Sequence, residues 1–327
     1  MKIIEVVANE SYNIAITGIA EHFHVVDYWQ GPIGKDDRRA CRILVEAENA
    51  QPVLDALQGL LAKSEDYRIV IIQPEVSLPR RKKDEDAEPS PKGTSTSREE
   101  LYNNVEKNAR LDSNFLILVF FSTIVAAIGL IEDNVAVVIG AMVIAPLLGP
   151  NLALALGTAL GDGELIRKAL VTNLGGLTVA TLLSISIALL WPVDLESSEL
   201  HARTVVGLDS VALALASGAA AVLSLTTGLS SVLVGVMVAV ALLPPTATFG
   251  LMVGSQQWDQ ALGALILLAV NIVCVNLSAK LVFLYRGIRP RTWLEKRRAR
   301  QSMWLYIIVW LLSLGLLIGV IYLRTLQ

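Results

Sequence analysis

The sequence predicts a membrane all-α bundle of about seven transmembrane helices, a 3+3 inverted repeat plus one, behind an N-terminal α+β ferredoxin-like (βαββαβ) soluble domain. Three observations carry that fold class. The chain of 327 residues is 54% hydrophobic and only 17% charged, whereas an ordinary soluble domain is about a quarter charged. Its charges crowd into a few places and leave long uncharged runs after Ser113. Two eleven-residue segments, 95 positions apart, share six residues in register.

The first 76 residues read as the soluble domain. Residues 2–8 form an apolar strand, 11–23 a helix with Ser11 as its N-cap, and 25–31 a second strand closed by the turn residues Gly31, Pro32 and Gly34. Residues 38–47 alternate as a third strand. Residues 51–62 carry helical apolar spacing at Val53, Leu54, Leu57, Leu60 and Leu61, and 67–73 make a fourth strand. Domains of this plan oligomerise, sense ligands or bind nucleic acid, so the plan leaves the role open. His22 and His24 lie two apart and share no helical face, which suits a solvated pair rather than a metal site. Cys41 and Cys274 suggest neither a disulfide framework nor zinc. No cofactor is expected, and no nucleic-acid partner.

Residues 77–111 read as a charged linker and a polar lead-in helix. The run from 78 to 98 is Pro, Ser, Thr, Lys and Glu with few apolar residues, and Lys107 and Arg110 suit a cytoplasmic interface. Residues 1–25 carry Glu5, Glu10 and Glu21 and no apolar signal-peptide core.

Residues 112–327 read as the transmembrane domain. Residues 114–131 supply an uncharged run long enough to cross a core of about 30 Å at about 1.5 Å per residue. Further spans fall near 135–160, 166–191, 205–225, 230–254, 261–285 and 304–323. The connection from 286 to 303 carries Arg286, Arg289, Arg291, Lys296, Arg297, Arg298 and Arg300, whereas 194–208 carries Asp194, Glu196, Glu199 and only Arg203. The positive-inside rule then places the N-terminus in the cytoplasm and the C-terminus outside.

The second and fifth spans align GAMVIAPLLGP at 140–150 with GVMVAVALLPP at 235–245. Gly140, Met142, Val143, Leu147, Leu148 and Pro150 meet Gly235, Met237, Val238, Leu242, Leu243 and Pro245. The same offset carries the first span onto the fourth and the third onto the sixth, so each repeat (about 112–191 and about 205–286) holds three spans, and an odd number inverts the second relative to the first. Proline removes a backbone donor and clashes with the preceding turn, so each aligned span is expected to break into half-helices at Leu148-Gly-Pro-Asn151 and Leu243-Pro-Pro-Thr246. Freed backbone groups are tolerated in hydrocarbon only inside a bundle or along a cavity. The helix N-termini so created favour anionic or polar solutes.

The candidate pathway residues are therefore Gly140, Pro146, Gly149, Pro150, Asn151, Gly235, Pro244, Pro245 and Thr246, together with Asn173, Asn271 and Asn276 in neighbouring spans. The prolines also fit packed kinks, and asparagines in such spans are more often interhelical glue than ligands. Lys280 is close enough to Arg286 to snorkel to the interface. Glu132, Asp133, Asp162, Glu164 and Asp209 fall at span ends, which disfavours an embedded carboxylate relay. Gly175, Gly176, Gly218, Ala219 and Ala220 invite close helix packing.

The GAMVIAPLLGP and LLPP segments resemble the bacterial membrane proteins catalogued as domain of unknown function 389, and the likeness runs from Asn114 to about Arg286. The N-terminal domain is similar to the corresponding region of many members. The resemblance implies architecture and brings no activity. Three function classes follow. The first is a channel or secondary transporter for a small polar or anionic solute in the lipid bilayer, self-associated as a homo-oligomer. The second is a membrane sensor or scaffold without transport. The third, an enzyme, lacks any visible nucleophile and base in the spans and is not expected.

Overall fold

A computed structural model of the chain describes residues 1–62, 64, 66–74, 97–194, 196–227, 242–288 and 293–325, with residues 48, 293–306 and 325 described by backbone alone. The residues cluster into two compact units, Met1–Glu99 and Glu100–Gln327. Most of the linker expected at 77–111, the candidate Gly235 and the first half of the span expected at 230–254 lie outside the described residues.

The first unit runs β1 (Lys2–Asn9), α1 (Asn13–His22), β2 (Asp27–Ile33), β3 (Arg38–Val45), α2 (Ala50–Leu61) and β4 (Arg68–Ile72). Its antiparallel sheet has the order β2-β3-β1-β4. Period-two alternation on β1 and β3 sends Ile4, Val6, Cys41, Ile43 and Val45 to one face. There they meet Ile16 of α1 and Val53, Leu54, Leu57 and Leu61 of α2. Two local expectations change. Asn9 rather than Ser11 supplies the cap, its side chain accepting from the Ser11 N–H at the head of a 3-10 turn over Glu10–Tyr12. Gly31 and Pro32 belong to β2 rather than to a turn, at a register shift between Gln30 and Ile33 where a residue without an N–H breaks no ladder.

The second unit is helical. Its elements are α3 (Arg98–Lys107), α4 (Ser113–Ile131), α5 (Val135–Ile144), α6 (Leu148–Leu160), α7 (Gly163–Leu190), α8 (Ser198–His201), α9 (Leu208–Thr227), α10 (Leu243–Gly254), α11 (Trp258–Tyr285) and α12 (Trp293–Thr325). Five helices are long and apolar enough to cross a membrane, and a sixth such span results if the bent pair α5 and α6 counts as one. Corresponding helix starts recur at one spacing: Ser113 and Leu208, Leu148 and Leu243, and Gly163 and Trp258 each lie 95 residues apart.

Burial follows composition. In α6, built almost wholly of Leu, Ala and Gly, every residue from Pro150 to Ala159 is buried, as expected of a helix apolar all round. The corresponding helix α10 is buried from Leu243 to Thr248. Around them, α4, α7, α9 and α12 turn large apolar side chains outward, among them Phe121, Leu174, Leu213 and Leu312. Glycines set the closest approaches. A Cβ on Gly218 of α9 would lie 2.8 Å from the Val275 Cα on α11, and one on Gly250 of α10 would lie 2.7 Å from the Thr181 carbonyl oxygen on α7.

The polar ends serve as caps and ties. Asp162 caps α7 by accepting from the Glu164 and Leu165 N–H groups, and its other oxygen accepts from the Tyr102 hydroxyl at 2.7 Å. Burial and that carboxylate push the Tyr102 phenol up from its ordinary value. The lead-in helix α3 is less polar in place than its sequence suggests, because Leu101 and Val105 are buried in the bundle's core along with Ala109 just beyond it. Asp133 turns the chain between α4 and α5 in the left-handed region, at φ 53°, which Asp tolerates better than most residues.

Candidate functional site

Two prolines explain where the second span breaks. Pro146 cannot donate to the Met142 carbonyl, and Pro150 cannot donate to the Pro146 carbonyl, so two rungs of an α-helix, one turn apart, are missing. The residue before Pro146 is pushed out of the helical region, and Ala145 sits at φ −67° and ψ 123°. The axes of α5 and α6 consequently diverge by 52°. The break falls at Ala145, Pro146 and Leu147, one turn earlier than expected, because Gly149 and Pro150 occupy the first turn of α6, where an N–H has no intrahelical partner in any case. In α10, Pro244 and Pro245 likewise sit at the start, and all of the first turn is buried.

Asn151 closes the first turn of α6. Its Nδ2 donates to the Leu147 carbonyl at 3.2 Å and to Asn173 Oδ1 on α7 at 3.0 Å. Its Oδ1 accepts from Asn276 Nδ2 on α11 at 3.1 Å. Asn276 Nδ2 also donates to the Ile272 carbonyl at 2.9 Å. Backbone carbonyls beside Asn151 and Asn276 fix which way each amide must face, so the row has one self-consistent orientation. Its three members come from three helices, and Asn276 is fully buried. At the aligned position of α10, Thr246 Oγ1 donates to the Leu242 carbonyl at 2.7 Å, the same i to i−4 contact that Asn151 makes with Leu147.

Three buried polar atoms of this core have no hydrogen-bond partner among the described residues: Asn276 Oδ1, Ser184 Oγ on α7 and Thr248 Oγ1 on α10. Lys280, one turn beyond Asn276, is 1% exposed, and its Nζ lies 5.3 Å from the centre of the Trp310 ring on α12. The snorkelling expected for it is thereby overturned: α12 covers this stretch of α11, and the indole face offers the ammonium a closer negative potential than the helix end does.

A cavity of about 290 Å³ adjoins the break. Pro146, Leu148 and Gly149 form one side, and Asn104, Lys107 and Arg110 stand on another. Gly149 is required here, since a Cβ would lie 2.6 Å from the Cβ of Asn108. Arg110 faces Glu106 at 3.7 Å, and Glu106 also receives Lys168 at 3.3 Å.

Of the candidate residues, the fold brings Asn151, Asn173 and Asn276 together and sets Pro146 and Gly149 at the cavity. Asn271 is 7% exposed, five residues before Asn276 on α11. Gly140 is exposed on α5, with nothing within 4 Å of where a Cβ would stand. Sequence reasoning took Lys107 and Arg110 only as an interface flank and passed over Asn104 and Asn108. Their helical spacing, with Leu101 and Val105 on the intervening face, was the available signal. Among the described residues, no three His, Cys, Asp or Glu side chains gather as a metal site.

Fold and site together define a helical-bundle protein whose core holds two proline-led helices, α6 and α10, the first tied to α7 and α11 by buried amides, with a small βαββαβ unit ahead of it. The chain belongs to the family described as Domain of unknown function (DUF389), whose model matches residues 142–277. An uncharacterized protein of Methanocaldococcus jannaschii is 35% identical over 282 residues, which is 86% of this chain and 87% of that protein. The stretch 142–277 that the family model matches takes in the α5–α6 break and the whole asparagine row. No solved structure matches the chain.

Proposed function

We propose that the protein spans a membrane seven times, as two inverted three-span units and a final span, and conducts a small polar or anionic solute past its broken helices. The observation that carries this reading is the asparagine row Asn173, Asn151 and Asn276, fastened to the first turn of α6 and lying among helices apolar enough to cross a bilayer. Polar groups inside hydrocarbon are costly and collect along pathways. Asn276 Oδ1, Ser184 Oγ and Thr248 Oγ1 offer further oxygens that a solute or its hydration shell would meet. The 95-residue spacing of the helix starts supports the repeat, and an odd number of spans per repeat makes it inverted. The cations between Arg286 and Arg300 support a cytoplasmic N-terminus.

The test is flux into liposomes carrying the purified protein, over a panel of anions, cations and neutral polar solutes, with Asn151→Ala and Pro245→Ala beside the wild type. Flux of one class that both variants reduce supports conduction. No flux of any solute sinks it and favours a membrane sensor or scaffold. One observation speaks for that second reading: Asn13, Thr17, Tyr28 and Gln30 form a partly open hydrogen-bonded patch on the first unit.

A further inference from the structure

Resting on the conduction reading, we propose that the cavity beside the α5–α6 break binds an amphipathic anion, a molecule with a singly charged head and a short hydrocarbon tail. The cavity's walls divide by chemistry. At the head end, Lys107 and Arg110 bring positive charge, and the carboxamides of Asn104, Asn108 and Asn114 bring donors. Lys107 is exposed and has no ion pair among the described residues, so its ammonium is available to a ligand. Arg110 is loosely engaged, 3.7 Å from Glu106 and 63% exposed.

The one carboxylate on the lining, Asp112, is already spoken for: its Oδ1 accepts the Phe115 N–H at 2.7 Å and caps α4. It still leaves the head end with an excess of one positive charge, which suits a single negative head and argues against a dianion. The remaining wall is Phe115, Leu118, Leu152 and Leu225, a purely apolar surface supplied by α4, α6 and α9. A bare inorganic anion would leave that wall in contact with water, whereas a hydrocarbon tail covers it. The volume of about 290 Å³ equals that of about ten waters, which admits a tail of several carbons but no large ring system.

The head chemistry is shared by a free organic anion and by the phosphodiester of a phospholipid. The experiment uses the full-length protein in nanodiscs of zwitterionic lipid and three probes: hexanesulfonate, hexanol with the tail alone, and methanesulfonate with the head alone. A sulfonate stays ionised and so does not cross lipid as a neutral acid. Calorimetric titration should show hexanesulfonate binding at least about tenfold more tightly than either partial probe, and Lys107→Gln/Arg110→Gln weakening it by about tenfold or more. Leu152→Asn, at the apolar end, should weaken hexanesulfonate and leave methanesulfonate unchanged. Both substituted proteins are first checked for the wild-type unfolding temperature, and the exposed Lys107 and Arg110 positions make the charge variant the safer of the two.

Equal binding of hexanol, equal binding of methanesulfonate, or unchanged binding by Lys107→Gln/Arg110→Gln overturns the proposal, as does no binding at all. Repeating the titration in phosphatidylglycerol nanodiscs separates the sources. Competition assigns the head to a lipid phosphate, and undiminished hexanesulfonate binding assigns it to a free anion, either of which upholds the site. Binding without flux of any solute removes conduction and keeps the site, whereas flux of other solutes without hexanesulfonate binding removes the site and keeps conduction.

Discussion

Asn151 and Asn276, 125 residues apart in the chain, share a hydrogen bond of 3.1 Å that joins the first turn of α6, just past the α5–α6 break, to the middle of the long helix α11. Both side chains are almost wholly buried, at 2% and 0% exposure. The contact ties α11 to α6 close to the place where the helical backbone is interrupted.

That bond should be measurable as a coupling. Asn151→Ala and Asn276→Ala each leave the other amide buried without its partner, at a cost of about 1–3 kcal/mol in a soluble core and somewhat less among membrane helices. In a double-mutant cycle on denaturant unfolding in detergent, the two losses should be less than additive by about 0.6–1.7 kcal/mol. Strict additivity would show that the side chains do not sense one another.

Two glycines should respond oppositely to substitution. Gly218→Val forces side-chain atoms toward the Val275 backbone, where a Cβ alone would stand 2.8 Å from its Cα, and should lower stability by about 1–3 kcal/mol or more. Gly140→Ala meets open space on an exposed helical position and should be neutral or stabilising by up to about 1 kcal/mol. Thermal unfolding of the two variants checks this, and equal losses would contradict the packing described here.

Removing the kink should require replacing both prolines. Pro146→Ala alone leaves Pro150 without the donor that the carbonyl of residue 146 needs, so α5 and α6 stay apart. Pro146→Ala/Pro150→Ala restores both rungs and should add about one turn of helix by circular dichroism while abolishing solute flux. Flux surviving in a straightened double variant would separate the break from conduction.

Acid should loosen the connection between α4 and α5. Asp133 accepts the Glu199 N–H at 2.8 Å and the Ser198 hydroxyl at 2.8 Å, and these bonds, the backbone one foremost, hold its carboxyl below the usual carboxylate range. Because the folded value is the lower one, the stabilisation is present above the ordinary carboxylate pKa and is lost as pH falls through the folded value. Wild-type unfolding temperature should therefore drop between about pH 5 and pH 3 more steeply than that of Asp133→Asn. Parallel curves would remove Asp133 from the account.

Much of the fold was legible because its signals are local. An apolar run marked β1 and alternation marked β3, uncharged length marked α4 and α7, and the prolines at 146, 150, 244 and 245 marked the helix starts. The displacement of the break by one turn arises because a proline in the first turn of a helix costs almost nothing, so Pro150 begins a helix instead of ending one. The site was less legible. In α6 and α11 almost every position is apolar, so periodicity cannot say which neighbour an asparagine faces, and the row Asn173, Asn151 and Asn276 exists only through tertiary packing. Lys280 misled for a related reason. Its distance from Arg286 is a property of α11 alone, whereas its surroundings are set by Trp310 on a different helix, α12.

The final helix also has a thermodynamic consequence. α12 packs on α11 and α6 and leaves α7, the counterpart of α11, mostly uncovered. Under the inverted arrangement proposed above, two halves alike in every contact would exchange conformations at no net change in free energy, so that states open to either side would be equally populated. A helix that covers only one of the two counterparts lifts that degeneracy, because movement of α11 also breaks the contact between Lys280 and Trp310, a contact that movement of α7 leaves intact. Under that arrangement one of the two states is the resting one, and shortening α12 should shift the balance toward the other.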